Sequence, residues 1–168
     1  MTIKSPVILS LRDYPKRANE CRELLLEYFN EFTSKHPAEV LASKGTFPQG
    51  YFMLKENKVI GWMGLHEKEV VTGKVYGWKG SIVKPEIVSE ELSPWITPLL
   101  VHPDERGNRY GKMLLEYARM EAGRLGYKVV YLTTGEIGYY EKYGFREVGL
   151  TTFTWGRPTK VYEAEVIL

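Results

Sequence analysis

The chain has 168 residues, 43% hydrophobic and 26% charged, a balance that fits one globular domain (residues 1–168) with a single well-filled core and excludes a fibrous or disordered polymer. Its 23 basic and 21 acidic residues leave a formal net charge of +2, too small a surplus to act as a general attractor for nucleic acid or membrane surfaces. A single cysteine, Cys21, excludes an internal disulfide and a cysteine metal centre, and His36, His66 and His102 lack metal-ligand spacing, so no metal is expected.

No apolar run approaches the roughly 18 to 20 residues that cross a bilayer, and the first residues lack a secretory core, so a cytoplasmic protein is expected. Val7 to Leu11 is a short apolar run fit for a sheet, and Asp13-Tyr14-Pro15 announces a helix. Cys21, Leu24, Leu25, Tyr28, Phe29 and Phe32 then recur at spacings of three and four, which predicts one broad apolar stripe packed on a core before Pro37 closes the region. Gly50 to Lys55 and Val59 to Leu65 read as a hairpin around Glu56-Asn57-Lys58. From His66 to Ser93 the pattern is irregular, with strand character at Val70-Val71 and Val75-Tyr76, room for a short helix, and three acids, Glu86, Glu90 and Glu91.

The most informative stretch runs from Ile96 to Lys112. Leu99, Leu100 and Val101 complete a strand, His102-Pro103-Asp104 stops it, and Gly107 and Gly111 bracket a turn from which a helix runs to Gly126 with Leu114, Leu115, Ala118, Ala122 and Leu125 on one face. A strand that feeds a glycine-bracketed turn into a helix offers unpaired N–H groups and the positive end of the helix dipole. That is an anion cradle, and Arg106, Arg109 and Lys112 add cations suited to a pyrophosphate. The spacing matches neither the Gly-Lys-Ser/Thr phosphate loop nor the Gly-x-Gly-x-x-Gly dinucleotide fingerprint. Lys128 to Thr133 reads as a second buried strand, parallel to the first because a helix crosses between them. Ile137 to Tyr143 reads as a short helix with Thr134 as N-cap and Gly144 as stop, and Phe145 to Thr154 with Lys160 to Leu168 as a closing hairpin.

Arg106-Gly107-Asn108-Arg109-Tyr110-Gly111, taken with Tyr139-Tyr140-Glu141-Lys142-Tyr143-Gly144-Phe145, resembles the GNAT superfamily of acetyl-CoA-dependent N-acetyltransferases. Arg106 and Gly111 fit the outer positions of that family's pyrophosphate motif and Gly107 a common extra glycine, while Arg109 stands where the family has its middle glycine. The resemblance implies an α/β (α+β) GNAT-like fold: a mixed, mostly antiparallel central sheet with a parallel splayed pair, flanked by helices.

It implies acetyl-CoA as cosubstrate, held by Arg106, Gly107, Asn108, Arg109, Tyr110, Gly111 and Lys112 at the pyrophosphate and by the backbone of Leu99, Leu100 and Val101 along the pantetheine arm. It also implies a backbone oxyanion donor near Leu99 to Val101, and Tyr140 as the general acid that protonates the departing thiolate; a phenol of ordinary pKa, about 10, is protonated at neutral pH. Arg109 is a candidate for direct contact with a phosphate of the cofactor. No base is named: Glu136 and the acids Glu86, Glu90 and Glu91 are candidates, and His102 is read as structural. The acceptor is a primary amine, on a small molecule or on a peptide or protein, with no nucleic acid and no membrane as partner. A non-catalytic acyl-CoA-binding regulatory module is the alternative. The closing hairpin serves equally as an internal edge or as the seam of a homodimer.

Overall fold

The computed structural model describes residues 5–71, 74–75, 87–88 and 92–168. Its elements in chain order are β1 (Val7–Ser10), α1 (Ala18–Tyr28), α2 (Glu31–Ser34), α3 (His36–Ala42), β2 (Gln49–Lys55), β3 (Lys58–His66), β4 (Lys74–Val75), β5 (Ile87–Val88), β6 (Trp95–Val101), α4 (Tyr110–Arg124), β7 (Val129–Thr134), β8 (Arg146–Thr152) and β9 (Pro158–Glu165). Short 3-10 turns occupy Pro15–Arg17, Pro103–Glu105 and Tyr140–Tyr143. Among the described residues, seven strands form one sheet in the order β1-β2-β3-β6-β7-β9-β8, and β4 and β5 form a two-stranded one. β6 and β7 run parallel, whereas β1–β2, β2–β3, β7–β9 and β8–β9 are antiparallel. The expected mixed sheet with one parallel pair is present. The chain divides into two compact units, Met1–Leu65 with Thr97–Tyr117, and His66–Ile96 with Ala118–Leu168.

The core of the first unit gathers Leu11, Cys21, Leu24, Leu25, Val40, Phe52, Val59, Trp62 and Leu100. Cys21, Leu24 and Leu25 supply the buried side of α1, as their spacing requires. The stripe does not continue as one helix. α1 stops at Tyr28, Asn30 takes an extended conformation, and its Oδ1 accepts the Thr33 N–H at 2.8 Å to start α2. Phe29 and Phe32, expected in the core, are therefore exposed, at 44% and 60%. Pro37 opens α3 instead of closing the region, because a first-turn residue has no intrahelical partner for the N–H that proline lacks. The β2–β3 hairpin turns on Glu56 and Asn57, both with positive φ (52° and 66°), the primed geometry that suits the twist of paired strands.

The core of the second unit is Leu92, Trp95, Tyr131 and Val161, with the Trp95 indole donating to the Leu92 carbonyl at 2.6 Å. α4 ends as expected at Gly126 (φ 95°). The Gly126 N–H bonds to the Gly123 oxygen and the Tyr127 N–H to the Ala122 oxygen, each at 3.0 Å, the paired bonds of a left-handed stop. Of the irregular stretch, Val71 forms a bridge with Phe153, and β4 and β5 pair Lys74 with Val88 and Val75 with Ile87. The expected short helix and Glu86, Glu90 and Glu91 lie outside the described residues.

Candidate active site

In the first unit, the end of β6 and the start of α4 form the predicted strand, turn and helix. The His102 N–H bonds to the Ile60 oxygen of β3 at 2.7 Å. Successive residues of a strand face opposite edges, so Leu100 also addresses β3, while Leu99 and Val101 present their N–H and C=O groups to the other edge. On that edge the ladder with β7 has one register pair, Trp95 with Tyr131. After Val101 the chain turns through Pro103–Glu105, and the Arg106 N–H is taken by the Pro103 oxygen at 3.3 Å. Gly107 (φ 85°) and Arg109 (φ 63°) both adopt left-handed conformations. α4 begins at Tyr110, one residue before the expected Gly111, and the Met113 N–H bonds to the Arg109 oxygen at 3.2 Å. The N–H groups of Tyr110, Gly111 and Lys112 thus precede the helical ladder and point out of its positive end.

Arg106, Asn108 and Arg109 are exposed around these amides, and Lys112 lies 3.6 Å from Glu116 one helical turn on. The turn is held from below. Lys55 Nζ meets Glu105 Oε2 at 3.0 Å and stands 5.3 Å from the centre of the Tyr110 ring, and hydrogen bonding to Glu105, then to Tyr110, raises the Lys55 pKa. His102 Nδ1 accepts the Asp104 N–H at 3.1 Å, which assigns the ring proton to Nε2, 3.1 Å from the Tyr28 hydroxyl. The imidazole is spent on shaping the turn.

Tyr140 belongs to the second unit. The expected helix from Ile137 is only a 3-10 turn over Tyr140–Tyr143, closed by Gly144 at φ 89°. Thr134 does not cap it: its Oγ1 accepts the Glu136 N–H at 2.9 Å and bends the chain as it leaves β7. The Tyr140 ring lies 4.9 Å from Tyr139, 6.0 Å from Phe145 and 6.2 Å from Tyr162, measured between centres. Burial pushes the Tyr140 pKa well above the ordinary phenol value, and the charge of Glu136 and the neighbouring Tyr139 push the same way. The phenol therefore keeps its proton at neutral pH. Arg119 of α4 braces this turn, donating to the Tyr143 carbonyl at 3.1 Å and to the Glu165 carbonyl at 2.6 Å.

One acid that the sequence did not single out is placed by the fold. Glu69 Oε2 accepts from Thr133 Oγ1 of β7 at 3.3 Å, a contact across 64 residues of chain. A lone glutamate in an irregular stretch gives no local sign of such a partner. Among the described residues, no group of three His, Cys, Asp or Glu side chains is placed to hold a metal ion, and no helix is long and apolar enough to cross a membrane.

Comparisons with known proteins agree with this fold. The aminoglycoside 6'-N-acetyltransferase of Enterococcus faecium superposes with a TM-score of 0.67 at 17% identity, over 96% of this chain and 98% of that one. The ribosomal-protein-S18-alanine N-acetyltransferase of Escherichia coli gives 0.64 at 15% identity, over 98% and 96%. A GNAT family acetyltransferase of Brucella melitensis, in complex with acetyl-CoA, gives 0.59 at 18% identity, over 94% and 86%. At these identities the likeness speaks for the fold. No curated protein matches the chain in sequence. The family model described as acetyltransferase (GNAT) family matches residues 18–145, the span that holds both the turn after β6 and Tyr140, and the chain belongs to that family.

Proposed function

We propose that residues 1–168 act as a single N-acetyltransferase domain that moves the acetyl group of acetyl-CoA to a primary amine by direct attack. The observation that carries the reading is the turn from Arg106 to Lys112: three outward amides at a helix N-terminus, exposed Arg106 and Arg109 beside them, and no internal carboxylate within the turn itself. These groups hold the pyrophosphate. The outward edge of Leu99 and Val101 bonds the pantetheine amides as a neighbouring strand would, and an N–H on this edge receives the carbonyl oxygen as it becomes an oxyanion. Leu100, turned to β3, contributes through its side chain to the core. Tyr140 gives its proton to the thiolate as the C–S bond breaks.

The structural neighbours named above differ in acceptor, one an aminoglycoside by name and another the alanine of a ribosomal protein. The shared fold thus supports the amine class and leaves the small-molecule and peptide forms side by side. The test is calorimetric titration with acetyl-CoA and desulfo-CoA beside ATP, followed by thiol release with amines for the wild type and Tyr140→Phe. Both CoA forms should bind far more tightly than ATP, and Tyr140→Phe should lose about 100-fold or more in kcat while keeping its acetyl-CoA affinity. An unchanged kcat in Tyr140→Phe removes the general-acid role; absent CoA binding removes the whole reading. A binding module without turnover would bind CoA and release no thiol in either form.

A further inference from the structure

The turn proposed to hold the phosphates of the cofactor follows directly on two acids. Asp104 and Glu105 offset two of the three cations Arg106, Arg109 and Lys112, and Lys112 itself stands 3.6 Å from Glu116. An anion site works against such an offset. The two acids differ in their surroundings. The Asp104 side chain is 89% exposed, where water and salt screen its charge, while that of Glu105 is only 25% exposed. A carboxylate so shielded acts on its neighbours with little screening unless a cation is paired with it.

Lys55 supplies that cation from a strand remote in sequence. It is the last residue of β2 and stands opposite Lys58 in the hairpin register, a like-charge pairing that the hairpin by itself disfavours. Its ammonium turns instead to the start of α4. Nζ meets Glu105 Oε2 at 3.0 Å, a contact across 50 residues of chain, and also donates to the Tyr110 side chain, whose ring centre is 5.3 Å away. Glu105 lies one residue before Arg106 and Tyr110 one residue after Arg109, so a single ammonium joins both ends of the turn. Asn108 ties the same turn from within, its Nδ2 donating to the Glu105 carbonyl at 3.0 Å. Lys55, Glu105 and Tyr110 all belong to the first unit. Anchorage of the lysine on a strand rather than a loop fixes where its ammonium stands.

We propose that Lys55 is a positioning residue for acyl-CoA, one that joins the two ends of the turn from Arg106 to Arg109 and masks the Glu105 carboxylate from the cofactor's diphosphate. This rests on the reading above that the turn binds the cofactor. Without the ammonium, Glu105 opposes the phosphates in two ways. Its charge repels them, and a carboxylate set loose beside the first residue of α4 is drawn to the same amides at the positive end of that helix. With the ammonium in place, the cationic surplus of Arg106 and Arg109 is left to the ligand. Lys55 acts through Glu105 and Tyr110 rather than on the reacting atoms, so its effect falls on cofactor affinity.

The experiment titrates acetyl-CoA calorimetrically into the full chain as wild type, Lys55→Met, Lys55→Gln, Lys55→Arg, Glu105→Gln and the double variant Lys55→Met with Glu105→Gln, and takes a thermal melt of each. Lys55→Met, and Lys55→Gln with its donor but no charge, should each bind about 10-fold or more weakly, while Lys55→Arg stays within about threefold of wild type. Glu105→Gln should bind at least as tightly as wild type. The double variant should regain about threefold or more over Lys55→Met, because the unmasked charge is gone. Melting temperatures should fall by no more than about 4 °C, since a partly exposed ion pair contributes little to stability. Equal affinity in Lys55→Met and wild type overturns the proposal. So does a double variant no tighter than Lys55→Met, or a Lys55→Arg as weak as Lys55→Met, since either reduces Lys55 to a prop of the fold. A wild type that binds no acetyl-CoA overturns the cofactor reading of the turn itself, and the role of Lys55 falls with it.

Discussion

Arg109 sits in the left-handed region at φ 63°, where a side chain crowds its own backbone. The conformation is forced by position: the turn must reverse between Gly107 and the first residue of α4, and glycine would adopt it freely. Arg109→Gly should therefore raise stability, with about 1 to 2 kcal/mol of relieved strain offset by about 0.5 to 1 kcal/mol of added freedom in the unfolded chain. The net gain, up to about 1.5 kcal/mol, corresponds to a rise of up to about 6 °C in thermal melting. The same variant should bind acetyl-CoA more weakly, with a shallower dependence on salt, if the guanidinium contributes to phosphate binding. An unchanged melting temperature would show that the turn absorbs the strain elsewhere. Asn57, also left-handed at φ 66°, illustrates the alternative, since asparagine tolerates this region better than arginine does.

At the scale of elements, the Tyr140 segment depends on a short 3-10 turn and the residue that ends it. Gly144 is left-handed, and a Cβ there would lie 2.8 Å from Arg119 Nη1, the same guanidinium that binds the Tyr143 and Glu165 carbonyls. Gly144→Ala should cost about 1 to 3 kcal/mol in denaturant melts. It should lower kcat more than acetyl-CoA affinity, because the turn that carries the proposed general acid shifts while the turn proposed to hold the cofactor does not. The strand, turn and helix from Leu99 to Gly126 were legible in the sequence because every signal in them is local: a strand end, two glycines and one apolar helix face. The break between α1 and α2 was not legible. Phe29 and Phe32 keep the helical spacing of Cys21 and Leu25, and only the extended backbone at Asn30 shows that its side chain caps a new helix. Tyr140 was singled out through a motif, yet the same stretch was read as a longer helix, because Thr134 looks like a cap until it is seen bonding to Glu136. The contact of Glu69 with Thr133 was beyond sequence reading altogether, since its two partners lie 64 residues apart in the chain.

For the molecule as a whole, burial of proton-donating groups fixes how stability responds to alkali. Burial pushes the Cys21 thiol from 9.0 up to about 12, with the charge of Glu20 adding to it, and burial also raises Tyr131 and Tyr140. The unfolded chain releases these protons at ordinary values while the folded chain keeps them. Between about pH 9 and 12 the unfolded state therefore binds fewer protons, and stability falls as pH rises, by up to about 1.4 kcal/mol per pH unit for each group fully split between the states. Denaturant melts at pH 7.5, 9 and 10.5 should show this decline, and Cys21→Ala should flatten its first part; a stability independent of pH over that range would refute the assignment. The division of the chain into two units has a consequence of another kind. The first takes Met1–Leu65 and Thr97–Tyr117, the second His66–Ile96 and Ala118–Leu168, so the polypeptide passes from one to the other three times, within β6 and α4 among other places. Neither unit is a contiguous stretch of gene. A single crossover between relatives cannot exchange the unit bearing the turn after β6 for another while leaving Tyr140 behind, and a change of acceptor has to accumulate by point substitution and loop replacement.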